Sequence, residues 1–378
     1  MGRISVSRRN RNSDDPDVAE QVRLSTDQCL DSYRVNPDLV AEHFGIEQSV
    51  ASGGYDRRQI FELVQNGADA ILEHADGGKP GKSNTARIEI ILTDTCLYCA
   101  NEGAPVDADG VKAILGAFRS RKRGNEIGRF GLGFKSVLGV SSAPEFHSTS
   151  GSFRFDQAES ELRIRDVAPG QDDVPILRLA FPIDSASAAS EDRILEELLA
   201  WATTVVRLRL DDRIDWLEDQ LVSFPEQFLL FSPHVTSLVL DNRSSGQRRS
   251  IEVGSAADQR VSLSTGGSTR LWQVFSIAVA PDEQLRDQAG ELQGREELPL
   301  SWAVPIDRPS ERGGFWAFFP MENDTTLRGI LNAPWKTNSD RQIVLQGAFN
   351  EWLIDRAVEL VLTNLHALQT PEDPARYL

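Results

Sequence analysis

The chain has 378 residues, of which 40% are hydrophobic and 26% are charged, a balance typical of folded globular proteins and not of disordered ones. This length favours two domains and allows a third, and no stretch approaches the roughly 18 to 20 apolar residues that a membrane-spanning helix requires. Lysine and arginine total 40 against 57 aspartate and glutamate residues, and the net charge of −17 argues against indiscriminate binding to nucleic acids or anionic lipids.

The N-terminal residues and the cysteines point to a reducing compartment. The start of the chain is polar and charged and lacks the apolar core of a secretory signal, so we expect a cytoplasmic protein with no membrane contact. Three cysteines, Cys29, Cys96 and Cys99, are too few for a disulfide framework. Cys96 and Cys99 have the spacing of half a zinc site or of a redox pair, but on a strand they point to opposite faces, which favours roles as buried apolar residues. The five histidines show no ligand spacing, and we assign them no metal.

Apolar periodicity and turn residues predict the elements in chain order. In the first half we predict helices over 27–43 (broken at 36–37) and from 55 to the glycine-rich segment 77–81, a strand over 86–100 and a helix over 111–118. An apolar helix or turn follows from 134, and strands are predicted over 152–155, 162–167 and 176–181. A helix over 194–201 and a strand over 203–210 complete this half. In the second half we predict a helix over 216–230, strands over 235–240, 249–253, 271–280, 298–304 and 314–319, and a helix over 349–368.

The elements suggest a division of the chain at residue 212. Residues 203–210 close a first domain, and the pattern of elements restarts at 216. We therefore predict a flexible N-terminal segment over 1–25, a first domain over 26–212 and a second α/β domain over 213–378. The last residues carry no terminating pattern, which favours a fragment of a longer protein.

The run ELVQNGADA at residues 62–70 carries the first candidate site. It places Glu62, Asn66 and Asp69 at i, i+4 and i+7, so on a helix the three side chains share one face. A carboxylate and an amide in this arrangement suit a base aimed at a water beside Mg²⁺, because Mg²⁺ prefers oxygen ligands and keeps several waters. Taken alone, the same spacing also fits a polar helix stripe exposed to solvent.

A glycine-rich run, GRFGLGF at residues 128–134, carries the second candidate site. Its glycines let backbone amides approach an anion, and the helix that follows favours phosphate at its N-terminus. A dinucleotide-binding loop has the reverse glycine spacing and follows a strand directly, and a Walker loop ends in Gly-Lys-Ser/Thr. Neither pattern is present in this run.

In order and spacing, ELVQNGADA, then NEG at residues 101–103, then GRFGLGF resemble the three nucleotide-binding boxes of the GHKL superfamily, which includes gyrase, the large heat-shock chaperones and the histidine kinases. The similarity is closest to the heat-shock chaperone branch and to sacsin-like ATPase domains, and it covers at least residues 40–210. It implies an α+β fold class, with a Bergerat-type sandwich (helices on one face of a mixed sheet) over 26–212 and a transducer-like α/β domain over 213–378. The implied ligands are ATP and Mg²⁺.

The resemblance also implies roles for individual residues. Carried over by position, Glu62 is the general base, Asn66 is the Mg²⁺ ligand and Asp69 lines the nucleotide pocket. The phosphate side would be formed by Gly128, Arg129, Phe130, Gly131, Leu132, Gly133, Phe134 and Lys135. The segment 103–127, with its basic cluster, would be the lid, unless it is simply an exposed basic face. A pocket threonine corresponds to Thr203 or Thr204, of which we take Thr204, and an ordinary strand threonine is the alternative.

The adenine-reading box departs from the family pattern. The family has an aspartate followed by Gly-x-Gly, whereas this chain has Asn101, Gly103 and then Pro105. An asparagine oxygen can accept from the adenine amino group, but as a neutral acceptor it should bind less strongly than a carboxylate. Pro105 stiffens the start of the lid. These departures weaken the expected adenine recognition and leave the phosphate and metal residues in place.

The second domain contributes a cation in proteins of this superfamily, where a basic residue reaches the γ-phosphate. The loop over 332–341 holds two candidates, Lys336 and Arg341, although ordinary surface charges are the alternative. The resemblance further implies nucleotide-dependent homodimers. It also implies a place in large multidomain proteins, including prokaryotic defence systems and chaperone-like proteins, so partner proteins or further domains are expected.

Together these patterns favour an Mg²⁺-dependent ATPase that acts as a switch or motor in a larger protein. A nucleotide-dependent binding module with little hydrolysis is the main alternative, and Asn101 and Pro105 keep it open. A kinase of the histidine-kinase type is disfavoured, because Glu62 is present and no phosphoacceptor helix is recognisable. No pattern signals direct nucleic-acid binding.

Overall fold

The computed structural model describes residues 17–51, 58–76, 86–116, 133–212, 215–256, 260–307, 312–338, 341–371 and 373. It is a mixed α and β structure, as predicted. The helices are α1 Val18–Val35, α2 Asp38–Ala51, α3 Gln59–Asp76, α4 Ala108–Leu115, α5 Gln157–Val167, α6 Ser185–Ser190, α7 Arg193–Leu199, α8 Asp215–Ser223, α9 Glu283–Gln288 and α10 Ala348–Asn364. Short 3₁₀ helices are Gly133–Gly139, Glu226–Phe231, Gly290–Leu292 and Leu365–Leu368.

The strands of the described residues form one continuous mixed sheet. They are β1 Arg87–Leu92, β2 Cys96–Asn101, β3 Pro144–Ser148, β4 Phe153–Arg154, β5 Phe181–Pro182, β6 Thr204–Arg209, β7 Ser237–Asn242, β8 Gln247–Ala256, β9 Arg260–Thr265, β10 Ser268–Val279, β11 Leu298–Pro305, β12 Gly313–Trp316, β13 Pro320–Thr325 and β14 Ile330–Asn332. Their order is β13-β12-β14-β11-β10-β9-β8-β7-β1-β2-β6-β3-β4-β5.

The two halves of the chain are joined through the sheet. β1 and β7 pair in parallel, with Arg87 opposite Ser237. The largest apolar core combines α3, β1 and β2 with residues of α8 and β7, and it includes Leu63, Ile90, Leu221 and Leu238. A second core lies between β10, β11 and α10. The division at residue 212 stays a prediction, and the sheet runs without interruption across it.

Helices cover both faces of the sheet, so the expectation of helices on one face is wrong for this region. α3 packs on the face of β1 and β2 that carries Ile88 and Cys99. On the opposite face, Ile91 and Tyr98 pack against Leu195 and Leu198 of α7. The physical reason is the strand pattern, because both faces of these central strands are apolar and both need cover.

The hairpin β1–β2 replaces the single strand expected over 86–100. Thr93 makes the turn, because its hydroxyl oxygen accepts from the backbone N–H groups of Thr95 and Cys96 at 3.3 and 2.9 Å. Cys99 faces α3, where its thiol donates to the Leu63 carbonyl at 3.5 Å, and Cys96 lies on the α7 side. The opposite orientation predicted for the two cysteines is confirmed.

The N-terminal segment is folded further toward the start than expected. Asp17 caps α1 by accepting from the Glu20 N–H at 2.8 Å, and Val18 and Val22 are buried in the largest core. Residues 18–25 therefore belong to a packed helix and not to a flexible segment. The remainder of the predicted segment, over 1–16, lies outside the described residues.

Three other predicted elements differ from the structure. Residues 162–167, expected to be a strand, belong to α5, whose N-cap Asp156 accepts from the Glu159 N–H at 2.9 Å. The strand expected over 176–181 is reduced to β5, because the amides at 176 and 177 donate to a carboxylate and not to a neighbouring strand. The helix expected over 216–230 stops at Ser223, because Pro225 cannot continue its hydrogen-bond pattern.

The sequence patterns missed the strands β3, β9, β13 and β14 and the helices α6 and α9. β9 and β10 form a hairpin whose turn residues, Gly266 and Gly267, have φ of 57° and 80°, a region that favours glycine. The paired glycines were therefore the available signal for β9. No helix in the described part of the chain is long and apolar enough to cross a membrane.

Candidate functional site

Close packing of α3 on the sheet forms the floor of the candidate site. A Cβ added at Gly67 would lie 3.2 Å from Ile88 Cδ1 and 3.5 Å from Asn101 Cβ. A Cβ at Gly103 would lie 2.5 Å from the backbone carbon of Ala70, so only glycine fits there. The Ala104 N–H also donates to the Ala70 carbonyl at 2.7 Å. The end of β2 is thus fixed against the middle of α3.

The polar residues of α3 do not form a solvent-exposed stripe. Glu62 is 4% exposed and Asp69 is 5% exposed, whereas Asn66, between them, is half-buried. Burial of carboxylates is costly unless they are paired or hydrogen-bonded. The exposed-stripe interpretation therefore fails for the two acidic residues, and these side chains have structural or chemical partners.

Arg341 brings a cation from the far end of the chain to Glu62. Its Nη1 donates to Glu62 Oε1 at 3.1 Å, and both side chains are buried. Arg341 also has φ of 56°, which is uncommon for a residue other than glycine. The two residues are 279 positions apart in sequence, so their contact fixes the loop after β14 against α3.

Lys336, the other predicted cation, is engaged elsewhere. Its Nζ donates to the Gln288 carbonyl at the end of α9 at 2.6 Å. Its backbone N–H donates a hydrogen bond to Asn350 Oδ1, and its carbonyl accepts one from Asn350 Nδ2. Of the two candidates in this loop, the structure brings Arg341, and not Lys336, into contact with Glu62.

Three polar residues form a row across neighbouring strands at the other end of the site. Asn101 on β2 is directly opposite Thr204 on β6, and Thr204 is directly opposite Ser148 on β3. All three side chains are buried, and Thr204 Oγ1 donates to Ser148 Oγ at 3.2 Å. Ser148 was not predicted, because only strand register places it beside Thr204. Thr203, the alternative to Thr204, precedes the strand.

The predicted phosphate loop is described only at its end. Gly128, Arg129, Phe130, Gly131 and Leu132 lie outside the described residues. Gly133 begins a 3₁₀ helix that contacts α2 and α3. Phe134 is buried against Phe146, with ring centroids 4.7 Å apart, and this contact anchors the end of the loop in the core.

Lys135 is enclosed by the protein and is only 1% exposed. Burial lowers the pKa of Lys135 to about 8, an effect that the Glu47 carboxylate opposes and the Arg178 charge reinforces. Glu47 on α2 is also buried, and its carboxylate accepts from the Ile176 and Leu177 N–H groups at 2.7 and 3.0 Å. Burial raises the pKa of Glu47, against the opposing charge of Lys135. Lys135 therefore interacts electrostatically with an internal carboxylate, which the sequence patterns did not identify.

His43, like Glu47, lies on α2, and it is close enough to Lys135 for the two side chains to interact electrostatically. Its Nδ1 lies 2.9 Å from the Tyr33 hydroxyl of α1. Burial lowers the pKa of His43 to about 4, with further contributions from the positive charges of Arg178 and Lys135. The basic side chains of His43 and Arg178 thus interact electrostatically with Lys135, which belongs to the 3₁₀ helix that follows the glycine-rich run.

Comparison with known proteins gives a distant similarity. No protein-family model matches the chain. The chain is similar to Protein NO VEIN of Arabidopsis thaliana, with 26% identity over 319 residues that cover 79% of this chain and 11% of that protein. It therefore spans about a tenth of the length of this relative.

Proposed function

We propose that this chain binds ATP with Mg²⁺ in a Bergerat-type site on α3 and hydrolyses it, and that it acts as a conformational switch or motor within a larger protein. The observation that carries the proposal is the convergence of Arg341 on the buried Glu62, 3.1 Å apart. A carboxylate that orients water and a cation suited to a terminal phosphate are the two groups that phosphoryl transfer to water needs close together.

The roles proposed for α3 follow from burial and position. Glu62 would orient and deprotonate the attacking water, Asn66 would hold Mg²⁺, and Asp69 would line the pocket. The nucleoside end would lie toward Asn101 and Thr204, at the other end of the α3 face. This direction agrees with the register of β2 and β6 and with the close approach of Gly67 to Asn101.

The residues fit an Mg²⁺ ion that is shared with nucleotide phosphates. Mg²⁺ commonly takes one or two protein oxygen ligands and keeps waters or phosphate oxygens at its other positions. Asn66 offers an amide oxygen on the half-buried part of α3, and the described residues contain no group of three or more His, Cys, Asp or Glu side chains that could hold a metal ion. When bound, the ion supplies neutralisation of phosphate charge.

The ion pair of Arg341 with Glu62 supports a switch. A guanidinium binds phosphate and carboxylate with similar geometry, so a terminal phosphate would compete with Glu62 for Arg341. Transfer of Arg341 to phosphate would release the carboxylate for water and would shift the loop after β14. Nucleotide binding would thereby be coupled to the second half of the chain, which further domains, a partner protein or a second copy could sense.

The same ion pair also favours a second candidate, a nucleotide-dependent binding module with little hydrolysis. If Arg341 stays on Glu62 when nucleotide is bound, the carboxylate is not available to orient water. The conformational change would then depend on binding alone. The two functions differ in turnover and not in affinity.

Hydrolysis is tested by phosphate release from Mg·ATP with Glu62→Gln, which keeps an oxygen opposite Arg341 and so protects the fold. We expect at least about a 100-fold lower rate, because general-base groups contribute on this scale, with the Kd for ATP changed little. Asn66→Ala should lose both binding and hydrolysis. Glu73→Ala, a change at an exposed carboxylate on the same helix, is the matched control. An unchanged rate in Glu62→Gln would contradict the assignment of the base, and binding without turnover in the wild type would favour the binding module.

A further inference from the structure

The carboxamide of Asn101 has a fixed orientation. Its Oδ1 accepts from the Gly103 N–H at 3.0 Å. Because a backbone N–H can only donate, the atom that faces Gly103 must be the oxygen, and the usual ambiguity between the two ends of an amide does not apply. Nδ2 and its two N–H groups therefore form the end of the amide that is turned away from Gly103. Within the described residues, Nδ2 donates to no protein acceptor.

The hydroxyl of Thr204 also has a fixed direction, set by a chain of hydrogen bonds. The Val106 carbonyl can only accept, so Ser150 donates its hydroxyl hydrogen to it. Ser150 must then accept from the Ser148 hydroxyl, 3.2 Å away. Since each hydroxyl has one hydrogen, Ser148 in turn accepts from Thr204 at 3.2 Å. The Thr204 hydrogen is thus committed, and Thr204 Oγ1 offers lone pairs only.

A hydrogen-bond donor and an acceptor consequently lie side by side. Asn101 and Thr204 are directly opposite each other on antiparallel strands, a relation that places their Cβ atoms about 4.5–5.5 Å apart. The Watson–Crick edge of adenine presents a donor at its 6-amino group and an acceptor at N1. A 6-oxopurine presents the reverse, an acceptor at O6 and a donor at N1. The pair formed by Asn101 and Thr204 complements the second arrangement.

We propose that Asn101 and Thr204 make the site prefer 6-oxopurine nucleotides, such as GTP or ITP, over ATP, with Nδ2 donating to O6 and Thr204 Oγ1 accepting from N1–H. The inference rests on the proposed nucleotide site. ATP would bind through its phosphates and ribose with its base edge mismatched. An aspartate at position 101 would keep the contact with Gly103 through one oxygen and would present the other to the 6 position, where it accepts from the 6-amino group of adenine and repels the O6 of a 6-oxopurine. Because hydrogen bonds of a charged carboxylate are stronger than those of a neutral hydroxyl, this change outweighs the acceptor that Thr204 still presents to adenine N1.

The test is equilibrium binding of ATP, ITP and GTP to the full chain in the presence of Mg²⁺. ATP and ITP differ only at the 6 position and N1, so they form a matched pair. We expect ITP to bind about tenfold more tightly than ATP, because each neutral hydrogen bond gained or lost changes affinity severalfold. Asn101→Asp should reverse the order. Thr204→Val should reduce the preference without reversing it, because the Asn101 donor remains.

The outcomes separate this inference from the proposed function. Equal affinities for ATP and ITP, or tighter binding of ATP by the wild type, would overturn the base preference and leave the nucleotide site intact. Retention of the wild-type order in Asn101→Asp, with Gly103 packing preserved as judged by an unchanged melting temperature, would also overturn it. Failure of ATP, ITP, GTP and inorganic tripolyphosphate alike to bind would overturn the nucleotide site itself.

Discussion

Replacing Arg341 with alanine would leave the Glu62 carboxylate buried without its cation. At the observed 3.1 Å separation, the attraction between two unit charges is about 5 kcal/mol at the effective dielectric constant of about 20 that suits protein sites. Desolvation offsets much of this in the intact pair, but removal of one partner exposes the cost of the remaining buried charge. We expect Arg341→Ala to lower the free energy of unfolding by about 3–5 kcal/mol.

The backbone of residue 341 does not confound this comparison. Its φ of 56° is equally unfavourable for arginine and for alanine, because both have a Cβ. The whole change in stability therefore comes from the side chain. Lys336→Ala in the same loop is the matched control, since its Nζ contacts a carbonyl at the surface, and we expect a loss below about 1 kcal/mol.

Urea and thermal unfolding of the nucleotide-free chain measure the effect. We expect Arg341→Ala to lower the melting temperature by about 6 °C or more. The double variant Glu62→Gln with Arg341→Ala should be more stable than Arg341→Ala alone, because no buried charge is left unpaired. A loss for Arg341→Ala no larger than that for Lys336→Ala would refute the interpretation of the ion pair.

Two further predictions concern the packing of Gly103 at the end of β2 and the titration of His43 on α2. Gly103→Ala should lower the free energy of unfolding by about 2–3 kcal/mol or more, because its Cβ would lie 2.5 Å from the Ala70 backbone. Gly45→Ala in α2, with open space around it, should raise the free energy of unfolding by about 0.5–1 kcal/mol. Chemical denaturation compares the two variants, and equal effects would contradict the packing of Gly103 against α3. The folded-state pKa of His43, lowered from 6.5 to about 4, means that the unfolded chain binds more protons between these values, so stability should fall as pH decreases from 6.5 to 4. His43→Gln should flatten the plot of melting temperature against pH over this range. An unchanged slope would show that other groups cause the pH dependence.

The candidate site could be predicted from sequence where it depends on one helix. The apolar periodicity around Leu63 and Val64 predicted α3, and the spacing of Glu62, Asn66 and Asp69 placed them on one face. Burial of the two acidic residues could not be predicted, because it depends on what packs over the helix. The turn within 86–100 was missed because Thr93 uses its side chain in place of the usual glycine or proline.

Contacts between distant parts of the chain were beyond the reach of sequence patterns. Lys336 and Arg341 carry equal charge in one loop, and only tertiary structure distinguishes the one that meets Glu62. Glu47 lies on an ordinary amphipathic helix, and nothing in its neighbourhood signals that it binds backbone amides at 176 and 177. The row from Asn101 to Ser148 requires strand register, which a single sequence does not specify for strands so far apart.

The most direct test of the central claim is a crystal structure of the full chain with Mg²⁺ and a non-hydrolysable triphosphate nucleotide. We expect the nucleotide to lie along α3, with its base beside Asn101 and Thr204, Mg²⁺ at Asn66 and the Arg341 guanidinium moved from Glu62 to the terminal phosphate. A nucleotide bound elsewhere, or an α3 face with no nucleotide at concentrations that saturate binding in solution, would contradict the proposed site.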